Sequence, residues 1–152
     1  MSSEGATDFG ILLNVAFGVF KAGMREHMTE AGFDDLGPSF GYVFRLLDSG
    51  PRNLRLVAEE LGITPQGALK IVNEMVEKGY IERRDDPEDG RVKSLRLTPR
   101  GSKALAEARR FHRRFEKELA GRVGKQRAAA ARLALEDIVA SGAEAAPKPR
   151  PL

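Results

Sequence analysis

Residues 54–79 read LRLVAEELGITPQGALKIVNEMVEKG, and this stretch decides the fold. Leu54–Leu61 has the spacing of a helix of about two turns, closed by Gly62. Ile63 follows, and then Thr64-Pro65 supplies an N-cap residue with proline at the first helical position. The second helix runs to Lys78 and is stopped by Gly79. Two short helices joined by a glycine-containing turn are a helix-turn-helix. On the second helix, Ala68, Leu69, Val72, Met75 and Val76 recur at three and four and are expected inside. Gln66, Gly67, Lys70, Asn73, Glu74 and Glu77 form the opposite face.

That polar face is ordered along the helix. Gln66, Lys70 and Asn73 lie toward the N-terminal end, Glu74 and Glu77 toward the C-terminal end. A recognition helix enters the major groove N-terminus first, so the donors meet base edges and phosphates while the carboxylates trail behind. Gln and Asn suit adenine, and Lys suits guanine or a phosphate. Gly67 leaves room for close approach.

Downstream, Tyr80–Arg84 and Arg91–Leu97 alternate as strands around the turn cluster Asp85-Asp86-Pro87-Glu88-Asp89-Gly90. The hairpin carries Arg83, Arg84, Arg91, Lys93 and Arg96. Alternation places Arg91, Lys93 and Leu95 on one of its faces. Arg91 follows the turn directly and is placed to reach a minor groove, with Asp89 near enough to hold it by a charge-assisted hydrogen bond. The candidate DNA-contacting set is therefore Thr64, Gln66, Gly67, Lys70, Asn73, Arg83, Arg84, Asp89, Arg91 and Lys93.

The run from Leu56 to Leu105 resembles the signature of the MarR family of bacterial regulators. The helix closes in Glu77-Lys78-Gly79-Tyr80, the wing carries Asp89-Gly90-Arg91, and Leu97-Thr98-Pro99-Arg100-Gly101 opens the next helix. The resemblance covers about residues 8–142. It implies a mainly α fold with a small β-hairpin wing: a winged helix-turn-helix at 35–98, with helical dimerisation segments at 8–34 and 99–142. It also implies a homodimer on a pseudopalindromic site of double-stranded DNA, often a repressor released by a small ligand. The chain departs from the family pattern in its dense acidic segment Asp85–Asp89, and it has no cysteine for oxidation sensing.

The flanks fit this reading. From Asp8 to about Gly32, apolar residues recur at helical spacing, with Thr7 or Asp8 as the expected cap. Ser39–Asp48, Arg100–Val123 and Lys125–Val139 are further helices. The apolar stripes of the first and last helices exceed what one small winged domain can cover, so an isologous partner is expected. The proline-containing tail, 143–152, is expected to be disordered. Between the dimer helices and the winged region, Phe20, Met24, His27, Phe40, Phe44 and Arg45 are the candidates to line a pocket for a small aromatic or anionic effector. Arg45 has two readings, a partner for that anion or for Asp48.

Composition bounds the rest. The 152 residues hold 25 Lys+Arg against 22 Asp+Glu, a net +3. The charge is uneven: residues 100–152 carry +7 and residues 1–99 carry −4. Any DNA-reading surface before residue 99 must then rest on a few placed cations and helix N-termini. No apolar run approaches the ~20 residues of a membrane span, and no export signal precedes the first helix, so cytoplasmic placement is expected. Two histidines, no metal-spaced cluster and no phosphate-binding glycine loop argue against an enzyme, a metal site or a cofactor. A winged helix used for protein–protein contact and an architectural DNA binder are the alternatives that the residues leave open.

Overall fold

A computed structural model describes residues 7–143. The elements are α1 (Phe9–Glu30), α2 (Phe40–Asp48), α3 (Leu54–Leu61), α4 (Pro65–Glu77), β1 (Ile81–Asp85), β2 (Lys93–Leu97), α5 (Pro99–Val123) and α6 (Lys125–Ala143). This is the expected mainly α fold with one hairpin. Helix α6 runs past Val139 to Ala143; the rest of the expected tail, 144–152, lies outside the described residues. The chain divides into two compact units between Asp34 and Asp35.

The first unit holds α1. Asp8, one of the two expected cap residues, occupies its N-cap without a side-chain cap bond. At the other end Phe33 N–H closes on Met28 O at 2.8 Å, with Gly32 at φ 92° making the turn. Along α1, Phe9, Ile11, Leu12, Val15, Phe17 and Val19 are all exposed.

The second unit builds the winged helix. Asn53 caps α3 by accepting from Leu56 N–H at 2.9 Å, and Thr64 caps α4 by accepting from Gly67 N–H at 3.1 Å. Between them Gly62, left-handed at φ 66°, forms the tight turn. Val57, Ala58 and Leu61 of α3 and Ala68, Val72 and Met75 of α4 are buried, because α3 and α4 close on each other. Strands β1 and β2 pair antiparallel from Ile81↔Leu97 to Asp85↔Lys93. On its other edge β2 bridges to Arg52, with Leu95 N–H to Arg52 O at 2.7 Å. Paired on both sides, Leu95 is buried together with its neighbour Ser94, so the expected alternation of faces fails here.

One junction ties α4, the wing and α5 together. Tyr80, expected as the first strand residue, is instead a fully buried core residue just ahead of β1. Its N–H donates to Met75 O at 2.9 Å, and its carbonyl accepts from Thr98 N–H at 3.0 Å. The Thr98 hydroxyl donates to Gly79 O at 2.6 Å and accepts from Gly101 N–H at 3.1 Å, so it also caps α5. Helix α5 lies so close that a Cβ on Gly101 would stand 2.1 Å from Tyr80 O. Glycine is the residue that fits.

The Tyr80 ring packs edge-on against Phe40 and Phe44, with centroids at 5.9 and 5.5 Å, and the Arg100 guanidinium lies 4.6 Å from its centroid. Its hydroxyl donates to Asp35 Oδ1 and accepts from Arg100 Nη2 at 3.0 Å. Lys78 Nζ completes the cluster, reaching Asp35 O at 2.7 Å and Glu74 Oε1 at 2.8 Å. Burial, reinforced by the hydrogen bond to Asp35 and its charge, pushes the Tyr80 phenol up to about 12 from its ordinary 10. The folded chain then holds a proton that the unfolded chain loses from about pH 10. Tyr80 therefore contributes stability that is fully present below pH 10 and is lost as pH rises toward 12. The ultraviolet titration of the chain minus that of Tyr80→Phe should place this phenolate near pH 12, with thermal stability falling over the same window. A midpoint at about 10, the ordinary tyrosine value, would mean the hydroxyl is not held as described.

Candidate nucleic-acid interface

The surface with DNA-reading chemistry begins at the N-terminus of α4. Gln66, Lys70 and Asn73 are exposed along one side of that helix, opposite the buried Ala68, Val72 and Met75. Lys70 makes no ion pair among the described residues. Glu74 is engaged by Lys78 at 2.8 Å, which draws one of the two trailing carboxylates toward the junction. Gly67 has a local reason to be glycine: an added Cβ would meet Thr64 Oγ1 at 3.3 Å, inside the cap itself.

One residue of α4 departs from expectation. Leu69, placed inside by its hydrophobicity, is 42% exposed and shares an open concave surface with Gln66, Lys70, Asn73, Glu74 and Glu77. The helix angle explains it. At about 100° per residue Leu69 lies about 60° from Gln66 and about 100° from Ala68, on the flank of the polar arc. Angular position was the available signal, and residue type obscured it.

The wing is bound to α4 by a contact that sequence spacing does not reveal. Arg83 of β1 donates from Nη2 to the Asn73 side-chain carbonyl. The contact fixes which way the carboxamide faces and leaves its two N–H donors uncommitted. Bidentate pairing with adenine needs that same carbonyl as acceptor. Two other strand cations are matched by carboxylates: Arg84 Nε stands 2.8 Å from Glu82, and Lys93 Nζ pairs with Asp85. Arg96 faces Glu82 across the ladder, and its buried Nε has no hydrogen-bond partner among the described residues.

The dense acidic tip is accounted for by turn chemistry. Asp86 Oδ1 accepts from Glu88 N–H at 2.8 Å, and Asp89 Oδ1 accepts from Arg91 N–H at 3.0 Å, two successive Asx-type turns. The expected charge-assisted hydrogen bond from the Arg91 side chain is not formed. Its Nε stands 3.9 Å from Asp89, an ion-pair distance beyond hydrogen bonding, and the side chain is 96% exposed. Arg91 also sits before β2, in the tip and not in the ladder.

The six candidate pocket residues fall on two helices. Phe20, Met24 and His27 lie on α1 in the first unit and are part-buried. On α2, Phe40 and Phe44 are buried against Tyr80. Arg45 donates from Nη1 to Gly41 O at 3.3 Å, and Asp48 pairs with Arg109 Nη1 at 2.9 Å, not with Arg45. Partial burial and then the Arg109 charge lower the Arg45 pKa, while Tyr42 opposes them. His112 is likewise lowered, by burial first and by Arg45 second. Arg45, Arg109 and His112 thus share one positive neighbourhood on α2 and α5. Among the described residues no group of His, Asp or Glu is arranged to hold a metal, and no helix is long and apolar enough to cross a membrane.

Comparison with known proteins agrees with this geometry. Residues 36–92 match the model of the MarR family. Among solved structures, the transcriptional repressor CouR bound to a 23-mer DNA duplex is 26% identical, with 86% of this chain and 92% of that one covered and a TM-score of 0.68. A mutant of Staphylococcus aureus MepR bound to an oligodeoxyribonucleotide is 16% identical over 90% of this chain and 99% of that one, at 0.63. Reduced MarR from Escherichia coli is 16% identical over 88% of this chain and 98% of that one, at 0.69. No curated protein sequence matches. The central segment of the chain, residues 36–92, is thus similar to the MarR family, and the chain shares the winged helix-turn-helix fold of the solved structures. Proteins of that family are DNA-binding transcriptional regulators.

The tip geometry separates the two roles of Asp89. Asp89→Asn keeps an acceptor for the Arg91 N–H and should leave the hairpin unchanged, whereas Asp89→Ala removes the Asx turn. Backbone amide shifts and hydrogen exchange of residues 86–92 should therefore be disturbed only in Asp89→Ala. Equal disturbance in both variants would mean the carboxylate charge, not the turn bond, orders the tip.

Proposed function

We propose that this chain works in the cytoplasm as a homodimer on a pseudopalindromic DNA operator, as a repressor that a small aromatic or anionic effector releases. The observation that carries the DNA reading is the exposed row Gln66, Lys70 and Asn73 at the leading end of α4, backed by a buried opposite face. In this reading α4 enters the major groove, with Gln66 and Asn73 on base edges and Lys70 on a phosphate or guanine. Thr64 and Gly67 hold the helix N-terminus, while Arg83, Arg84 and Lys93 line the approach. Arg91 reaches the adjacent minor groove from the wing tip, supported by Asp89. CouR, 26% identical and solved on a DNA duplex, supports the DNA reading.

The dimer reading rests on exposed apolar side chains. Phe9, Val15 and Val19 on α1 and Leu133 and Val139 on α6 are each more than half exposed, which supports these helices as the dimer elements that the family resemblance implies. The effector reading rests on the part-buried Phe20, Met24 and His27 of the first unit for an aromatic group and, separately, on Arg45 beside Arg109 in the second for an anion; Phe40 and Phe44 are taken up by the core around Tyr80.

Binding to an operator obtained by binding-site selection, compared with scrambled duplex at several salt concentrations, tests the DNA reading. Gln66→Ala and Asn73→Ala should each cost about 1–3 kcal/mol of discrimination and barely move the salt slope. Lys70→Ala on a phosphate should weaken both duplexes alike and lower the salt slope by roughly one unit per site. Glu77→Ala should be neutral or slightly tightening. A damaging Glu77→Ala beside a silent Gln66→Ala would reverse the orientation of the helix in the groove. For the wing, Arg91→Ala should weaken operator binding and Asp89→Ala should weaken it less; unchanged affinity for Arg91→Ala at physiological salt would remove the wing from the mechanism.

A further inference from the structure

Leu69 is the one large apolar side chain on the DNA-facing side of α4. The buried face of the helix is complete without it, since Ala68, Val72 and Met75 are each fully enclosed. Leu69 stands 42% exposed between Gln66 and Asn73, one turn from each, and beside Lys70. Exposed apolar area is unfavourable in water, by about 25 cal/mol per Å², and this leucine is surrounded by donors suited to base edges. One apolar group projects from the base edges into the major groove, the C5-methyl of thymine. It lies beside the O4 acceptor of the same base, so a leucine flanked by amide donors matches both features of a thymine edge. Asn73 is turned the right way for this, because Arg83 occupies its carbonyl and leaves its N–H donors uncommitted.

We propose that Leu69 determines specificity by packing against a thymine methyl group in each operator half-site. This rests on the placement of α4 in the major groove given above. The side chain acts by apolar contact alone, and the contact is made twice in a two-fold complex.

Replacing thymine by deoxyuridine removes only the methyl group, so the contact can be tested from the DNA side. Selected operator duplexes carrying single symmetric T→dU changes are titrated against wild type, Leu69→Ala and Leu69→Met. One methyl buried against leucine is worth about fourfold in affinity, so a symmetric pair should cost wild type roughly 15-fold at one operator position. Leu69→Ala should bind the thymine operator more weakly and lose that discrimination, whereas Leu69→Met should retain most of it. Since Leu69 is surface-exposed, unchanged thermal midpoints are expected for both variants. The proposal is overturned if no T→dU pair affects a wild type that still prefers operator to scrambled duplex, an outcome that leaves the DNA reading intact. It is equally overturned if Leu69→Ala keeps the full thymine preference, or if that variant changes the oligomeric state and not the affinity, which would assign Leu69 to a protein contact. Absence of salt-dependent duplex binding by wild type would sink the proposal and the DNA reading together.

Discussion

The contact between Tyr80 and the start of α5 is the constraint on which the rest of the winged unit depends. Four backbone and hydroxyl bonds converge there: Tyr80 to Met75, Thr98 to Tyr80, Thr98 to Gly79, and Gly101 to Thr98. They join the end of the recognition helix, the base of the hairpin and the first turn of α5 within a few residues. No Cβ fits between Gly101 and the Tyr80 carbonyl. Around this backbone knot the Tyr80 ring, Phe40 and Phe44 fill the interior, and the part-exposed Asp35 and Arg100 close over the Tyr80 hydroxyl. The direction in which α4 presents Gln66, Lys70 and Asn73 relative to the wing is set at this point.

Electrostatics shape the surface that this junction holds. The segment before residue 100 is net negative, and three of its wing cations are already engaged: Arg83 by Asn73, Arg84 by Glu82 and Lys93 by Asp85. Exposed pairs of this kind contribute about 0–1 kcal/mol each, so a phosphate can replace the carboxylate at small cost. The pairs arrange the cations before any anion arrives and hold down non-specific attraction. Lys70, without a pair among the described residues, and Arg91, with its guanidinium nearly in solvent, are the cations most readily offered. Arg83 stands apart, because its partner is a base-reading candidate; the wing and recognition helix are joined at the residue where specificity is sought.

Much of this was legible in the residues because local rules and tertiary packing agree. Thr64-Pro65 and Thr98-Pro99 each cap a helix at the expected place, and Leu54–Leu61 forms with the expected bounds. Where two local signals conflict, the reading fails. Leu69 is apolar by type and outward by angle, and angle prevails because Ala68, Val72 and Met75 already fill the interface with α3. Ser94 and Leu95 break the strand alternation because Arg52, from a distant loop, pairs with the other edge of β2. The Asp35–Tyr80–Arg100 cluster and the Arg83–Asn73 contact join residues 10 to 65 positions apart, which periodicity does not relate. The acidic tip departs from the family pattern by charge count, and the two Asx turns that use Asp86 and Asp89 are not visible in that count.

The most direct test of the junction uses two glycines of the same helix. Gly101 has the Tyr80 carbonyl where a methyl would go, and Gly121 has nothing within 4 Å. Thermal unfolding of Gly101→Ala should show a loss of about 1–3 kcal/mol or more, a fall of roughly 2–12 °C, together with weakened DNA binding. Gly121→Ala, which only lowers backbone freedom in a helix, should be neutral or slightly stabilising. Equal stability and equal DNA affinity for Gly101→Ala and the unsubstituted chain would contradict the account, because α5 would then not rest on Tyr80 as described.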